Sequence, residues 1–169
     1  SMAHQVLGAG ACVALESASF VDAQFVASLA SDLTPPIVTC PGPLLVVTGP
    51  PGRGAQLVRG AAVARGRWLL FLHADTTLPP SAFDDIRGAL ADRQKVGGRF
   101  DVELKGNHPM LGVIGVMINR RSRLTRVGTG DQAIFVRRDV FAAMGGFPEI
   151  PLMEDVAFCR ALKRRGGVA

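Results

Sequence analysis

The sequence predicts a single α/β domain over residues 1–169, in which a mostly parallel mixed sheet is flanked by helices. Two apolar runs, residues 44–47 and 67–72, are typical of buried strands, and a helical segment follows each of them. This strand, helix, strand, helix order is characteristic of parallel sheets. The chain is 48% hydrophobic and 20% charged, a composition that supports a core and excludes disorder as the main state.

The N-terminal elements follow from apolar runs of strand length and from one helical period. Residues 5–15 are small and apolar, which predicts a first strand, and residues 20–33 have apolar positions at helical spacing. A proline pair ends this helix, and a short strand is expected at residues 37–40 before the stronger one at 44–47. A helix at residues 55–64 then begins after a glycine-rich turn and leads to the second buried strand.

Helices and shorter strands alternate after the second buried strand. Two prolines and a serine start a helix over residues 79–92. Alternating residues predict a strand at 98–104, and another strand is expected at 133–136. The remaining helices are expected at residues 110–123, 139–144 and 154–164. The sequence GGFP separates the last two, because glycine and proline interrupt helices.

Charge, aromatic content and cysteine spacing restrict the functional classes. The net charge is +5, and every basic residue lies from Arg53 onward. That asymmetry suits an anionic ligand and suits arginines on solvated helices equally well. With 6% aromatic residues and no tyrosine, a surface that stacks nucleic-acid bases is not expected. Three separated cysteines without a CxxC pair favour a reducing, cytoplasmic location over a disulfide framework or a zinc site.

A glycine-rich turn at residues 49–56 follows a buried strand and opens a helix, as a phosphate-binding loop does. A nucleoside triphosphatase needs lysine and then serine or threonine at the end of this loop, and Ala55 and Gln56 stand there instead. The backbone amides at the helix start, together with Arg53, can still bind a diphosphate.

The sequence His73-Ala74-Asp75 ends the second buried strand, where open α/β sheets bind their ligands. Asp75 offers an oxygen ligand for Mg²⁺ or Mn²⁺, and His73 offers an imidazole that suits Mn²⁺ better. An aspartate after a strand also commonly caps a helix or forms a turn. The local sequence leaves both interpretations open.

Glu154 and Asp155 open the last predicted helix, where acids complement the helix dipole. Successive helical residues point in different directions, so only one of the two is expected to face a cleft. A carboxylate in such a cleft can accept a proton from a hydroxyl nucleophile. Helix capping and general-base catalysis are therefore both compatible with this pair.

Three further features leave alternatives or predict a core position. Asp131, in the loop Gly130-Asp131-Gln132, either pairs with the arginines just before it or binds an acceptor substrate. Residues 109–126 are apolar and then basic, which suits an ordinary amphipathic core helix and also a helix lying on an anionic membrane surface. Cys159 has helical spacing to other apolar residues and is expected in the core.

Several of these motifs, taken in order, resemble the family 2 inverting glycosyltransferases of GT-A fold, in particular the small bacterial arsenosugar-biosynthesis and selenodomain-associated transferases. The likeness spans residues 52–166 and is carried by GRGAQLVRGAAVARGRWLLFLHADTTLPP, GDQAIFVRRDVF, GGFP and PLMEDVAFCRALKRRG. It implies a nucleoside-diphosphate sugar as donor, a small or lipid-linked hydroxyl acceptor, and a divalent metal, Mn²⁺ or Mg²⁺.

The resemblance also implies a role for each residue that matches a motif. By this resemblance the metal ligands are Asp75 and His73, and the donor is bound by Arg53, Gln56, Ala74 and Asp75. The general base is Asp155, with Glu154 beside it. The residues near the acceptor are Gly130, Asp131 and Gln132. Residues 1–52 diverge, since segment 36–43 lacks the acid that contacts the nucleobase in the family. Family members also have further C-terminal elements, so truncation there is expected. The alternatives are an inactive binding module and a nucleotidyltransferase relative.

Overall fold

The structure, a computed structural model, describes the backbone of residues 11–16 and the whole of residues 53–64, 66–73 and 76–169. The elements predicted at 20–33, 37–40 and 44–47 lie outside the described residues, as do Ala74 and Asp75. The motifs from Arg53 onward are otherwise described and can be compared with the sequence predictions.

Within the described residues, one five-stranded mixed sheet forms the centre of the fold. Its strands are β1 (Ala11–Glu16), β2 (Trp68–His73), β3 (Lys95–Gly98), β4 (Ile134–Arg137) and β5 (Gly167–Val168), in the spatial order β1-β2-β4-β3-β5. β1 with β2 and β3 with β5 are parallel, whereas β4 runs antiparallel to both β2 and β3. The predicted α/β class with a mixed sheet is confirmed, while the described pairings are evenly divided rather than mostly parallel.

Five α-helices in the described part of the chain flank or follow these strands. They are α1 (Arg53–Val63), α2 (Ala82–Ala91), α3 (Met110–Thr125), α4 (Arg138–Ala143) and α5 (Glu154–Leu162), with a 3-10 turn at Gly130–Gln132. The ends of each of these α-helices lie within three residues of the ends predicted from the sequence. Helix α4 is followed by Gly145 and Gly146, whose φ angles of 78° and 82° lie in the left-handed region that favours glycine.

The prediction of a strand at residues 98–104 is wrong, because β3 ends at Gly98 and the backbone after it forms its hydrogen bonds outside the sheet. The Phe100 amide donates to the carbonyl of Gln132 at 2.7 Å. The side chain of Asn119 in α3 accepts from the Val102 amide and donates to the Val102 carbonyl, both at 2.9 Å. The alternating pattern therefore reflects a segment held by a turn and by a helix rather than by a neighbouring strand.

The alternation of side chains along β2 divides the core between the two faces of the sheet. Leu69 and Phe71 pack on one face with residues of α1, α4 and α5, and Leu70 and Leu72 pack on the other with residues of α2. Cys159 lies in the first cluster, as predicted. Burial raises the pKa of its thiol to about 11, which keeps it protonated and inert at neutral pH.

Helix α3 differs from α1, α2 and α5 because its buried residues, Gly115 and Ser122, include no apolar side chain. The expectation of an ordinary amphipathic core helix at residues 109–126 is therefore wrong, since most of its large apolar side chains are exposed and only Leu111 and Ile118 are half-buried. Among the described residues, no helix has the length and hydropathy needed to cross a bilayer.

Candidate functional site

Five residues that are far apart in the sequence meet beside the carboxyl end of β2. Arg53 begins α1, His73 ends β2, Gly130 begins the 3-10 turn, and Glu154 and Asp155 begin α5. These five residues line one small cavity together with apolar side chains of the core. We refer to Arg53, His73, Gly130, Glu154 and Asp155 as the Arg53 cluster.

The guanidinium of Arg53 connects the other charged and polar side chains of the Arg53 cluster. Its Nε lies 3.1 Å from Oε1 of Glu154, and its Nη2 lies 3.8 Å from Oδ2 of Asp155. The same Nη2 contacts Nε2 of His73, and because a guanidinium has no acceptor, the histidine nitrogen is the acceptor. One cation therefore contacts two carboxylates and an imidazole, and only 31% of its side chain is exposed.

Glu154 is buried to an unusual degree for a carboxylate, with 1% of its surface exposed. In the described part of the chain neither of its oxygens accepts a hydrogen bond of good geometry, although Arg53 is in ion-pair contact with Oε1. Burying a charged carboxylate is costly unless it is paired and hydrogen-bonded. Arg53 therefore supplies the compensation for Glu154 that the described structure provides.

Asp155 is held in a defined orientation by two backbone amides. Its Oδ2 accepts from the Gly130 amide at 2.7 Å, and its Oδ1 accepts from the Val156 amide at 2.6 Å. Each carboxylate oxygen can accept a second hydrogen bond, so both retain a lone pair. Asp155 can thus accept a proton without first giving up either amide.

The expectation that only one of Glu154 and Asp155 faces a cleft is wrong, because both contact Arg53. Successive residues diverge by about 100° around a helix, but the guanidinium is wide enough to contact both carboxylates with different nitrogens. The two acids also lie in the first turn of α5, where they complement the helix dipole. Capping and site formation are therefore combined in the same pair.

Glycines allow the elements of the Arg53 cluster to approach one another. A Cβ at Gly130 would overlap the side chains of His73 and Arg53, so any other residue would displace these two groups from their present contact. A Cβ at Gly54 would lie 3.1 Å from the carbonyl oxygen of Pro148, where the GGFP segment packs on the start of α1. The sequence analysis treated GGFP as a helix break and as one motif of the resemblance, and it did not predict the contact of GGFP with α1.

Three residues predicted for the site do not join the cluster. Gln132 is fully buried and its amide donates to the Phe100 carbonyl at 3.3 Å and to Ser122 Oγ at 3.0 Å, which fixes the 3-10 turn. Asp131 accepts from the Thr129 hydroxyl and forms no ion pair with any arginine of the described chain. Gln56 lies about one turn beyond Arg53 on α1 and does not line the cavity of the Arg53 cluster.

Of the two predicted metal ligands, the structure describes only His73. The nitrogen that His73 would offer to a cation faces the positively charged guanidinium of Arg53. Over the described ranges, no three His, Cys, Asp or Glu side chains are grouped so that they could hold a metal ion. Asp75, the principal ligand that the resemblance implies, lies outside the described residues, so metal binding through it stays a prediction.

The cavity at the Arg53 cluster has a volume of about 10 Å³, which is room for about one water molecule. A much larger cavity, of about 550 Å³, opens at the start of β2 beside Trp68. The two are separated by the length of β2, roughly 17 Å. The charged residues that line the larger cavity are Arg67, Arg93, Lys95, Arg137, Arg138 and Asp139.

The sequence did not identify this basic cavity, although a signal was present. Its cations flank strand ends, since Arg67 precedes β2, Lys95 begins β3 and Arg137 ends β4. Only the antiparallel pairing of β4 with β2 and β3 brings these ends to one edge of the sheet. That pairing cannot be read from the spacing of the residues.

Comparison of the sequence with protein-family models gives no match, and comparison with curated protein sequences gives none either. The resemblance to glycosyltransferases therefore rests on the sequence motifs alone.

Proposed function

We propose that the protein is an inverting glycosyltransferase of GT-A fold that transfers a sugar from a nucleoside diphosphate to a hydroxyl acceptor. The observation that carries the proposal is the geometry of Asp155, a buried carboxylate oriented by the Gly130 amide at the carboxyl edge of the sheet. Open α/β sheets bind substrates at this edge. A cytoplasmic location belongs to the same proposal.

Asp155 acts as the general base. It takes the proton of the acceptor hydroxyl while the hydroxyl oxygen forms a bond to the anomeric carbon of the donor sugar. The bond between that carbon and the diphosphate oxygen breaks, and the nucleoside diphosphate leaves with the electron pair. Because attack and departure take place on opposite faces of the carbon, the configuration inverts.

The other residues of the Arg53 cluster set the charge around Asp155. Glu154 binds Arg53 through Nε and so positions its guanidinium, whose Nη2 lies 3.8 Å from Asp155. A guanidinium is also suited to bidentate binding of a diphosphate, so Arg53 is our candidate for contacting the donor beside Asp155. A divalent cation, held through Asp75, would offset the charge of the departing diphosphate when bound.

The test is release of a nucleoside diphosphate from a panel of UDP-, GDP-, dTDP- and CDP-sugars offered with mixed hydroxyl acceptors. Loss of a general base lowers turnover by about 10² to 10⁴ fold, so Asp155→Asn is expected to fall in that range. The matched control is Asp84→Asn, the same chemical change at an exposed site on α2, where Asp84 pairs with Arg87. Turnover that is equal in both variants contradicts the assignment, and pyrophosphate as product indicates nucleotidyl transfer.

A second candidate is a binding module without transferase activity. It is favoured by the 10 Å³ cavity and by the pairing of Arg53 with both acids, since this arrangement leaves little room for a donor. Thermal melting with each nucleoside diphosphate separates the two candidates when it is combined with the turnover assay, because a ligand that binds the native state raises its stability. Absence of both nucleotide binding and turnover supports the module, whereas nucleotide binding or turnover with any donor counts against it.

A further inference from the structure

The outward side of α3 is strongly apolar. At about 100° per residue, Met110, Val113, Ile114, Met117 and Leu124 fall on one side of the helix, and the buried Gly115 and Ser122 fall on the opposite side. The exposed fractions of these five side chains run from 40% for Ile114 to 84% for Leu124. We call these five residues the α3 apolar face.

Contiguous exposed apolar surface of this kind marks a site of interaction with another molecule or with a membrane. Helix α3 remains attached to the fold by its opposite side. Asn119 binds both backbone groups of Val102, and Ser122 accepts from the buried amide of Gln132. The α3 apolar face is therefore held outward by polar contacts behind it, so it does not have to rearrange to meet a partner.

The charge of α3 indicates which partner suits this face. The helix contains no acidic residue, and Arg120 and Arg121 flank the apolar face on either side near its C-terminal end. Both are exposed, so their alkyl chains can lie along an apolar surface while their guanidinium groups reach anionic groups above it. A second copy of the chain would bring further arginines against these, whereas an anionic lipid surface neutralises them.

We propose that α3 binds the surface of an anionic membrane, lying in the plane of the interface with the α3 apolar face inserted between the lipids. The 16 residues of the helix extend over about 24 Å, and the apolar side chains and flanking arginines are arranged as in interfacial amphipathic helices. The inference does not depend on the proposed function, because membrane binding requires neither donor nor acceptor.

The test is co-sedimentation of the full chain with phosphatidylcholine vesicles that contain or lack phosphatidylserine, at low and at high salt. Binding is expected only with phosphatidylserine and is weakened by salt. The paired change Arg120→Gln and Arg121→Gln is expected to weaken binding by about five-fold per arginine. The control pair is Arg164→Gln and Arg165→Gln, which removes the same charge from exposed positions after α5.

A second pair of variants tests the apolar contribution. Val113→Ser with Met117→Ser is expected to weaken binding by at least about ten-fold, since both side chains lose their transfer into lipid. Val63→Ser, at an exposed position of α1, is the apolar control and should bind as the wild type does. Thermal melting followed by circular dichroism shows whether each variant remains folded.

Three results overturn the proposal. The first is absence of binding to phosphatidylserine vesicles at low salt, and the second is binding that the α3 variants and their controls share equally. The third is a dimer in light scattering that Val113→Ser with Met117→Ser converts to monomer while no variant binds vesicles. That result assigns the α3 apolar face to self-association.

Discussion

Replacing Arg53 with methionine removes the cation that, within the described residues, contacts both Glu154 and Asp155, and it keeps a side chain of similar reach. At the observed 3.1 Å between Nε and Oε1, two unit charges attract by about 5 kcal/mol at an effective dielectric constant of 20. Because 31% of the arginine side chain is exposed, solvent screens part of this attraction. Removing one partner of a buried pair costs about 3 to 5 kcal/mol, so we expect a loss of about 3 kcal/mol.

The assay is urea unfolding at neutral pH, followed by circular dichroism. Arg87→Met is the matched control, because Arg87 pairs with Asp84 at 2.7 Å but both side chains are 79% exposed. Its loss is expected within about 0.5 kcal/mol. The double variant Arg53→Met with Glu154→Leu is expected to recover much of the loss, since the uncompensated buried charge is gone. A loss for Arg53→Met no greater than that of the control, or a double variant no more stable than the single one, would refute this account.

Two further changes test the packing and the electrostatics. Gly130→Ala places a Cβ against His73 and Arg53, and we expect it to lower the free energy of unfolding by about 1 to 3 kcal/mol. The control is Gly112→Ala on α3, which has open space around it and should raise the free energy of unfolding by about 0.5 to 1 kcal/mol. Equal effects of the two changes in urea unfolding would contradict the crowding at Gly130. Desolvation opposes ionisation of Asp101, but the hydrogen bonds and charges of its two arginine partners outweigh it and lower its pKa below 3.8. The stabilisation is therefore present above pH 3.8 and lost as pH falls through the lower folded-state pKa, so Asp101→Asn should cost up to about 1 kcal/mol at pH 7. The cost should shrink progressively as the pH of the unfolding measurement is lowered below 3.8. A cost that does not change with pH would exclude the ion pairs as its cause.

Local patterns were sufficient to predict most elements of the described chain. The apolar run before His73 became β2 because a buried strand needs no polar face, and the helices followed from their apolar spacing and their proline or glycine boundaries. The prediction failed at residues 98–104, where Asn119 and Gln132 bind the backbone that a partner strand would have bound. Hydrogen bonds between residues far apart in the sequence do not alter the local hydrophobic pattern, so that pattern cannot predict them.

The candidate site was predictable in its residue types but not in its connections. Arg53, His73 and the two acids were each identified from their positions at the ends of elements, yet the contact of one guanidinium with all three partners depends on how α1 and α5 are packed. The buried role of Gln132 was missed for the same reason, because its side chain was assigned by its place in a motif.

Stability alone does not account for the charges of the Arg53 cluster. A cation in the first turn of α1 is disfavoured by the helix dipole, and a buried carboxylate at Glu154 is costly even when it is paired. Apolar side chains of similar volume often replace such buried pairs with no loss or with a gain in stability. Folding alone does not require three charges and an imidazole to meet at the end of β2, and this supports our proposal that the chemistry lies at Asp155 rather than at the larger basic cavity.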